Sequence, residues 1–339
     1  MPTATADLLA RVREEAASLF SAQARYAVAV SGGGDSVALL RLLVDILGPA
    51  RVVVLHFNHA LRAEAGYEAA FVSQLALDYA VPYFEHTWTE RTGNEGNMQQ
   101  AARLARYRFF AEVCAADSLA GVCTGHTADD ATETFLMRLG RGSGVAGLSG
   151  MQAHSQMGTL PVYRPLLAVN RAELRTYLQA IGQNWVDDPS NKDMKYLRVR
   201  LRESISTLEQ LGLPSQALAD TAASLQRANV ALEAFTAAFM KRYVSVKPNG
   251  AMVVGEQLFA QPDEIAQRAL ERIILHMQPA PLAPRVSKRL RLLESFKKGE
   301  KKATLGGVIF TRTAAGIECA REHVGLRSFN LLAKNTDSL

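Results

Sequence analysis

The sequence predicts an α/β fold: a doubly wound, mostly parallel sheet followed by a smaller, mainly helical domain. Three observations carry that prediction. Apolar, β-branched runs alternate with helix-length segments as far as residue 150. A glycine-rich turn, SGGGDS at residues 31–36, joins the first such run to the helix after it. From residue 213 onward helical periodicity dominates and the charge turns basic.

Taken in order, the opening MPTATADLLARVREEAASLF carries acids and reads as an amphipathic helix rather than a signal peptide. Residues 26–30 (YAVAV) form a short strand, and 37–47 (VALLRLLVDIL) a buried helix. Residues 51–57 (RVVVLHF) are β-branched and give a second strand. A helix over 68–79, a strand over 81–88 and a longer helix over 98–116 follow. A short strand at 121–124 then leads into a helix over 128–139. Strands separated by helices of this length pair in parallel, with right-handed crossovers. Around 161–167 the chain returns to the sheet, and 171–181 forms one more helix.

The DDPSN of 187–191 has strong turn chemistry, and the first domain is placed at 1–212. The second, 213–339, opens with a long helix introduced by Pro214. Leu218, Ala222, Leu225, Ala228, Leu232 and Phe235 recur there at helical spacing. Helices near 262–277 and 284–298 precede a hairpin over 304–320 that turns at 314–316.

Composition narrows the class. With 339 residues and 48% hydrophobic content the chain can bury real cores, and no apolar run is long enough to span a bilayer. Cys114, Cys123 and Cys319 are odd in number and contain no CxxC, which excludes a disulfide scaffold and a zinc ribbon and makes a reducing cytoplasm the default. Residues 1–189 hold 15 Arg, no Lys and 19 acids, a net of −4, while 190–339 carry a net of +9. A basic second part suits a polyanionic partner, and on charge alone a solvated surface is as good a reading.

The SGGGDS turn decides the chemistry. It sits at the C-terminal end of a parallel strand, where open α/β sheets bind ligands. Gly32, Gly33 and Gly34 let the backbone approach a charged group closely. The helix that follows begins with unpaired N–H groups suited to phosphate. Ser31 and Ser36 add hydroxyls, and Asp35 offers a carboxylate to a phosphate-bound Mg²⁺. The turn matches neither GxxxxGK[ST] nor GxGxxG. A plain tight turn in which Asp35 caps the helix is the alternative.

Other segments supply candidates. HFNHALR (56–62) leaves the second strand where an adenine edge would lie, so that His56 is a nucleotide candidate, with an ordinary loop histidine as the competing reading. In GHTADDATET (125–134), Asp130, Glu133 and Thr134 share one helical face, a negative pocket for an ammonium group. Asp129 points elsewhere as a helix-start stabiliser. Arg138, Arg141 and the glycine-rich stretch to 151 suit closure over a polyphosphate. Along 98–110, Leu104 and Phe109 are expected inside, which leaves Arg103 and Arg106 to face either solvent or a nucleotide.

The SGGGDS turn is similar to the PP-loop of the ATP pyrophosphatases. HFNHALR, AARLARYRFF, GHTADDATETFLMRLGRGSGVAGLSGM, YRPLL and WVDDPSN, in order through residues 26–202, resemble the tRNA(Ile)-lysidine synthetase family of that group. The resemblance implies an adenine nucleotide α-hydrolase-like fold. It also implies an enzyme that uses ATP, Mg²⁺ and free L-lysine to convert the wobble cytidine of a CAU-anticodon tRNA(Ile) into lysidine. By the same resemblance Ser31–Ser36 bind ATP with Asp35 near the metal, Arg106 steadies the phosphates, and Asp130 and Glu133 hold the lysine. The family's Arg-Asn-Arg run after DPSN is Arg198-Val199-Arg200 here, leading on to Arg202.

Arg198, Arg200 and Arg202, with Arg285, Lys288, Arg289, Arg291, Lys297, Lys298, Lys301 and Lys302, form the expected tRNA phosphate track. A tRNA thiolase shares the loop but commonly uses paired cysteines, and an inactive tRNA-binding fold is the other competitor. Monomer and homodimer are both open on the sequence.

Overall fold

The computed structural model describes residues 3–60, 65–89, 98–187, 194–195, 197–278 and 283–322. In chain order these give α1 (Thr3–Leu19), β1 (Tyr26–Ala29), α2 (Gly34–Leu47), β2 (Val52–Asn58), α3 (Ala65–Asp78), β3 (Tyr83–Thr87), α4 (Met98–Ala116) and β4 (Val122–Thr124). Next come α5 (Ala128–Leu139), α6 (Val145–Leu148), β5 (His154–Met157), β6 (Leu160–Tyr163), α7 (Arg171–Ala180), α8 (Leu197–Gln210) and α9 (Ser215–Tyr243). The chain continues through β7 (Val244–Val246), β8 (Met252–Val254), α10 (Asp263–Met277), α11 (Val286–Lys297), β9 (Lys302–Leu305), β10 (Val308–Thr313) and β11 (Gly316–Arg321).

The first sheet has the order β3-β2-β1-β4-β6-β5 and is parallel except for β5. The chain builds outward from β1 to β2 and β3, then returns to lay β4 on the other side of β1. The loops after β1 and β4 therefore flank the point where strand order reverses, the usual ligand crevice of such sheets. Period-two alternation sends neighbouring strand residues to opposite cores. Val28, Val52 and Val54 join Leu39, Leu43, Leu174 and Leu178 on one face. Ala27, Val53 and Leu55 join Phe109, Phe110 and Val122 on the other. In α1, Leu8, Val12 and Ala16 are buried at four-residue spacing, as an amphipathic helix requires.

One local expectation needs correction here, and one strand pairing carries no signal in the sequence. Leu104 is 53% exposed, and Tyr107 and Phe110 are buried beside Phe109 instead. The strand β5 pairs antiparallel with β6, a hairpin that the polar HSQM does not announce.

The chain divides into two compact units, residues 1–226 and 227–339. The division falls within α9 rather than in the loop before it, because the first turns of α9 pack on the first unit: Ala222 lies 3.4 Å from where a Gly150 side chain would begin. The second unit is helical in the main and also carries an antiparallel sheet of order β7-β8-β11-β10-β9. The expected hairpin is β10–β11, with Thr313 paired to Gly316. Against the sheet α10 and α11 bury Leu270, Ile273, Ile274, Leu293 and Phe296. Phe235, expected on the apolar stripe of α9, is exposed, and Thr236 and Phe239 are buried instead. Among the described residues no helix is long and apolar enough to cross a membrane.

Candidate active site

The glycine turn follows β1 at the reversal point. Gly32 sits at φ +92°, a conformation that side chains with a Cβ rarely adopt. Its carbonyl accepts from Val186 N at 3.0 Å, which docks the chain after α7 onto the turn. Gly33 is the N-cap of α2, and the first backbone bond of that helix runs from Val37 N to Gly33 O at 3.0 Å. The amides of Gly34, Asp35 and Ser36 thus open the helix ahead of any intrahelical acceptor, with the positive end of its dipole behind them.

Ser36 departs from expectation. Its hydroxyl donates to Gly33 O at 2.8 Å and accepts from Ser31 N at 3.1 Å, so its single hydrogen braces the turn. After β4, a Cβ on Gly125 would lie 3.0 Å from Asp35 O and 3.1 Å from Ser36 N. Only glycine lets the two strand ends converge so closely.

The carboxylates come from α2 and α5. Thr127 caps α5, and its backbone N and Oγ1 both donate to Asp130 Oδ2 at 2.9 Å, a capping box that fixes the Asp130 rotamer. Asp130, not Asp129, therefore stabilises the helix start, and Asp129 Oδ2 accepts instead from Arg171 N at 2.9 Å. Glu133 is 0% exposed, and its Oε1 accepts from Arg171 Nη1 at 2.8 Å and Arg202 Nε at 3.1 Å. Arg171 also donates to Asp130 Oδ1 at 2.5 Å and Asp35 Oδ2 at 3.2 Å. Asp35 Oδ1 and Glu133 Oε2 are buried without a hydrogen-bond partner among the described residues. Burial, and then the charge of Asp130, push the Asp35 carboxyl above the ordinary range, while Arg171 and Arg175 pull it back.

Cations gather beside this cluster. Arg106 Nε is buried without a partner among the described residues, and burial lowers its proton affinity, with Arg103 and Arg198 adding to the effect. The guanidiniums of Arg103 and Arg106 lie 4.9 and 5.4 Å from the Tyr107 ring centre. His126 Nδ1 is 2.8 Å from Thr124 Oγ1. Burial pushes its imidazole down to about 4, with Arg164, Arg106 and Arg198 reinforcing and Asp130 opposing. It is therefore neutral at neutral pH and feels both the arginines and the carboxylates. Such an arrangement can hold an anion on one side and an ammonium group on the other.

Several expected residues fall elsewhere. His56 lies within β2, 2% exposed, with Nδ1 2.8 Å from Val30 O, so its ring braces the start of the turn from inside the sheet rather than lining a loop. Arg138 Nη1 donates to Gly147 O at 2.7 Å and Gly150 O at 3.2 Å, and this staples the glycine-rich stretch instead of leaving the guanidinium open. Arg202 belongs to the Glu133 cluster. Arg198 and Arg200 are exposed, and Val199, in place of the expected Asn, is buried between them. In the second unit Lys288, Lys297 and Lys298 are exposed. Arg289 is not: at 4% exposure it donates to Gln267 Oε1 at 2.6 and 2.9 Å and to the Pro284 carbonyl, and it pairs with Glu271 at 2.9 Å. That removes Arg289 from the phosphate track. Leu61 and Arg62 of HFNHALR and residues 188–191 of the DPSN segment lie outside the described residues.

Four residues of the site were not singled out by sequence reasoning. Arg171 stands 136 positions from its partner Asp35. Arg175, one turn on, lies across the turn where a Gly34 Cβ would be and stacks 4.8 Å over Trp185. Arg164 sits inside YRPLL and His126 inside GHTADD, where motif membership was the available clue. A further cavity of about 380 Å³ lies behind α5, lined by Ala131, Phe135, Met151, Leu167 and Leu218. It is apolar and away from the carboxylate face.

Comparison with known proteins agrees with this geometry. A PP-loop domain model matches residues 5–209. A tRNA(Ile)-lysidine synthase of Ruegeria pomeroyi is 37% identical over 309 residues, 89% of this chain and 73% of that protein. One of Novosphingobium aromaticivorans is 37% identical over 287 residues, 84% and 85% of the two chains. Among solved structures, the U34-tRNA thiolase NcsA from Methanococcus maripaludis shares the fold, with a TM-score of 0.56 over 65% of this chain and 79% of that one, at 14% identity. The resemblance carried by five separated motifs thus extends through most of the chain, and this protein belongs to the tRNA(Ile)-lysidine synthase family.

Proposed function

We propose that the protein ligates free L-lysine to C2 of the wobble cytidine in a CAU-anticodon tRNA(Ile), using ATP and passing through an adenylated cytidine. The observation that carries this reading is the pairing, beside the ends of β1 and β4, of an amide cradle and Arg106, whose Nε is buried without a partner among the described residues, with the half-buried Asp130 and the buried Glu133. A phosphate donor and an amine acceptor meet there.

The C2 oxygen of cytosine is a poor leaving group. In the first step that oxygen attacks the α-phosphorus of ATP, the bond to the β-phosphate oxygen breaks, and pyrophosphate leaves. The amides of Gly34, Asp35 and Ser36 and the guanidinium of Arg106 face the charge that develops on phosphoryl oxygens. In the second step the ε-amine of lysine attacks C2, the C2–O bond breaks, and AMP leaves. The ammonium must lose a proton first, since its ordinary pKa is ~10.4. Asp130 and Glu133 hold the ammonium, and His126, neutral at neutral pH, adds no charge beside Arg106.

Mg²⁺ fits the chemistry of this site. Asp35 Oδ1 is a buried oxygen without a partner among the described residues, and Mg²⁺ on a nucleotide commonly takes one or two carboxylates, the rest being phosphates and water. Among the described residues no group of three or more His, Cys, Asp or Glu could hold a metal without such help. When bound, the ion supplies charge neutralisation for the pyrophosphate leaving group.

Exposed Arg198 and Arg200, and in the second unit Arg285, Lys288, Arg291, Lys297, Lys298, Lys301 and Lys302, are the proposed tRNA contacts. The cysteines speak against sulfur transfer, since all three are buried and burial raises every thiol, Cys114 and Cys319 to about 12.

The test is ATP–pyrophosphate chemistry with tRNA(Ile) and radiolabelled lysine. Label entering tRNA with AMP release supports the reading. Sulfur incorporation moves the protein to the thiolases, and tight tRNA binding with neither product makes it an inactive binder.

A further inference from the structure

The carboxylates of the site do not stand alone: one internal cation joins all three. Arg171 donates through Nε to Asp35, through Nη2 to Asp130 and through Nη1 to Glu133, each at a different nitrogen. Its guanidinium is largely buried and its backbone is equally constrained. Arg171 N donates to Asp129 Oδ2, and two residues earlier Val169 O accepts from Ala128 N at 2.9 Å. A capping box between Asn170 and Glu173 fixes the first turn of α7. The start of α7 is thus docked on the start of α5, and the side chain reaches from there to the glycine turn.

Two consequences follow from elementary electrostatics. Within the ion pairs themselves, Asp35, Asp130 and Glu133 against Arg171 and Arg202 leave one net negative charge, which suits a single ammonium group, while Arg175 acts on Asp35 from outside those pairs. Each carboxylate gives one oxygen to Arg171, and on Asp35 and Glu133 the second oxygen is buried and has no partner among the described residues. A buried unpaired carboxylate oxygen is costly unless a ligand completes it.

We propose that Arg171 is a positioning residue that ties the ATP-side carboxylate Asp35 to the lysine-side pair Asp130 and Glu133, so that the two substrate sites are built on one shared guanidinium. The proposal rests on the lysidine-forming reading given above. Arg171 touches neither reacting atom; it orients the groups that do, through a planar fork that a lysine side chain cannot reproduce.

The experiment compares wild type, Arg171→Gln and Arg171→Lys in lysine incorporation into tRNA(Ile), with lysine and ATP varied separately. Arg171→Gln is expected to raise the KM for lysine and the KM for ATP together, each about tenfold, with a smaller change in kcat. Arg171→Lys keeps the charge but reaches one carboxylate at a time, and is expected to restore less than half of either loss. Unchanged KM values with a lower active fraction would make Arg171 purely structural and overturn the proposal. A lysine KM that falls would also overturn it, because Arg171 would then be a competitor for the pocket. Should Arg171→Gln fail to melt cooperatively, Arg171→Lys is read alone, and wild-type KM values in it overturn the proposal. If wild type incorporates no lysine, the functional reading fails separately. Arg171 is then judged by Mg·ATP affinity in calorimetry, where a tenfold loss in Arg171→Gln supports the shared guanidinium and an unchanged affinity refutes it.

Discussion

Glu133 and Arg202 stand 69 residues apart in the chain and 3.1 Å apart in the fold, where Arg202 Nε donates to a carboxylate oxygen already held by Arg171. An arginine expected to track RNA phosphate is instead part of the wall of the proposed ammonium pocket. The pairing ties α8 to α5 and sets what substitution at Glu133 does.

Glu133→Ala should raise the lysine requirement far more than the ATP requirement, and it also leaves two guanidiniums without their shared acceptor. Breaking a buried pair from one side costs about 3–5 kcal/mol, and the partial exposure of Arg202 places this case at the lower end. Steady-state kinetics checks the first effect and denaturant unfolding the second. An equal rise in both KM values would contradict a lysine pocket.

Arg106→Ala should slow adenylation about a hundredfold, the usual effect of deleting one electrostatic donor. Stability should change little, because removing the guanidinium relieves a desolvation cost at Nε, which has no partner among the described residues, and at the same time loses its contact with the Tyr107 ring. Single-turnover pyrophosphate release and the unfolding midpoint give the two readouts.

The pH dependence of stability has a definite sign at His126. Its folded pKa is about 4 against an ordinary 6.5, so on acidification the unfolded chain takes the proton first. Stability is full above pH 6.5 and is lost progressively as pH falls toward 4. His126→Asn should flatten the fall between pH 7 and pH 5, measured by denaturant midpoints. The same slope in both proteins would place the titration elsewhere.

Arg289→Ala and Lys298→Ala should separate stability from RNA binding. The first removes charged hydrogen bonds inside the second unit and is expected to cost about 1–3 kcal/mol of stability. The second removes an exposed charge and should leave stability alone. It should lower the slope of log affinity for tRNA against log salt by about 0.7–0.9 if the contact is to phosphate. Filter binding across a salt series reads the slope.

Gly125→Ala puts a methyl 3.0 Å from Asp35 O and 3.1 Å from Ser36 N, so the glycine turn must shift. The expected outcome is weaker ATP binding with the fold retained, read by calorimetry and by the far-ultraviolet spectrum. Wild-type affinity would mean that the turn tolerates the displacement.

What sequence patterns could determine was local. Hydrophobic periodicity placed α4 and α5 at their observed limits, because a helix face repeats within a few residues and leaves its mark on the chain. The strand–glycine–helix junction likewise announced its geometry, since backbone approach and a helix N-terminus are properties of consecutive residues. Three-residue strands such as VSV and MVV carry too little periodicity to be seen, and the sheet of the second unit was visible only as its hairpin.

Tertiary structure alone decided which charges meet. Ser36, His56, Arg138 and Arg289 look like ligand-binding groups on paper, yet each commits donors to its own protein. Arg171, silent in the sequence, touches three carboxylates from elements that only strand order brings together. Motif spacing records neighbours along a helix or a turn, whereas electrostatic partnership depends on distance through space, and that is fixed when β4 is laid beside β1.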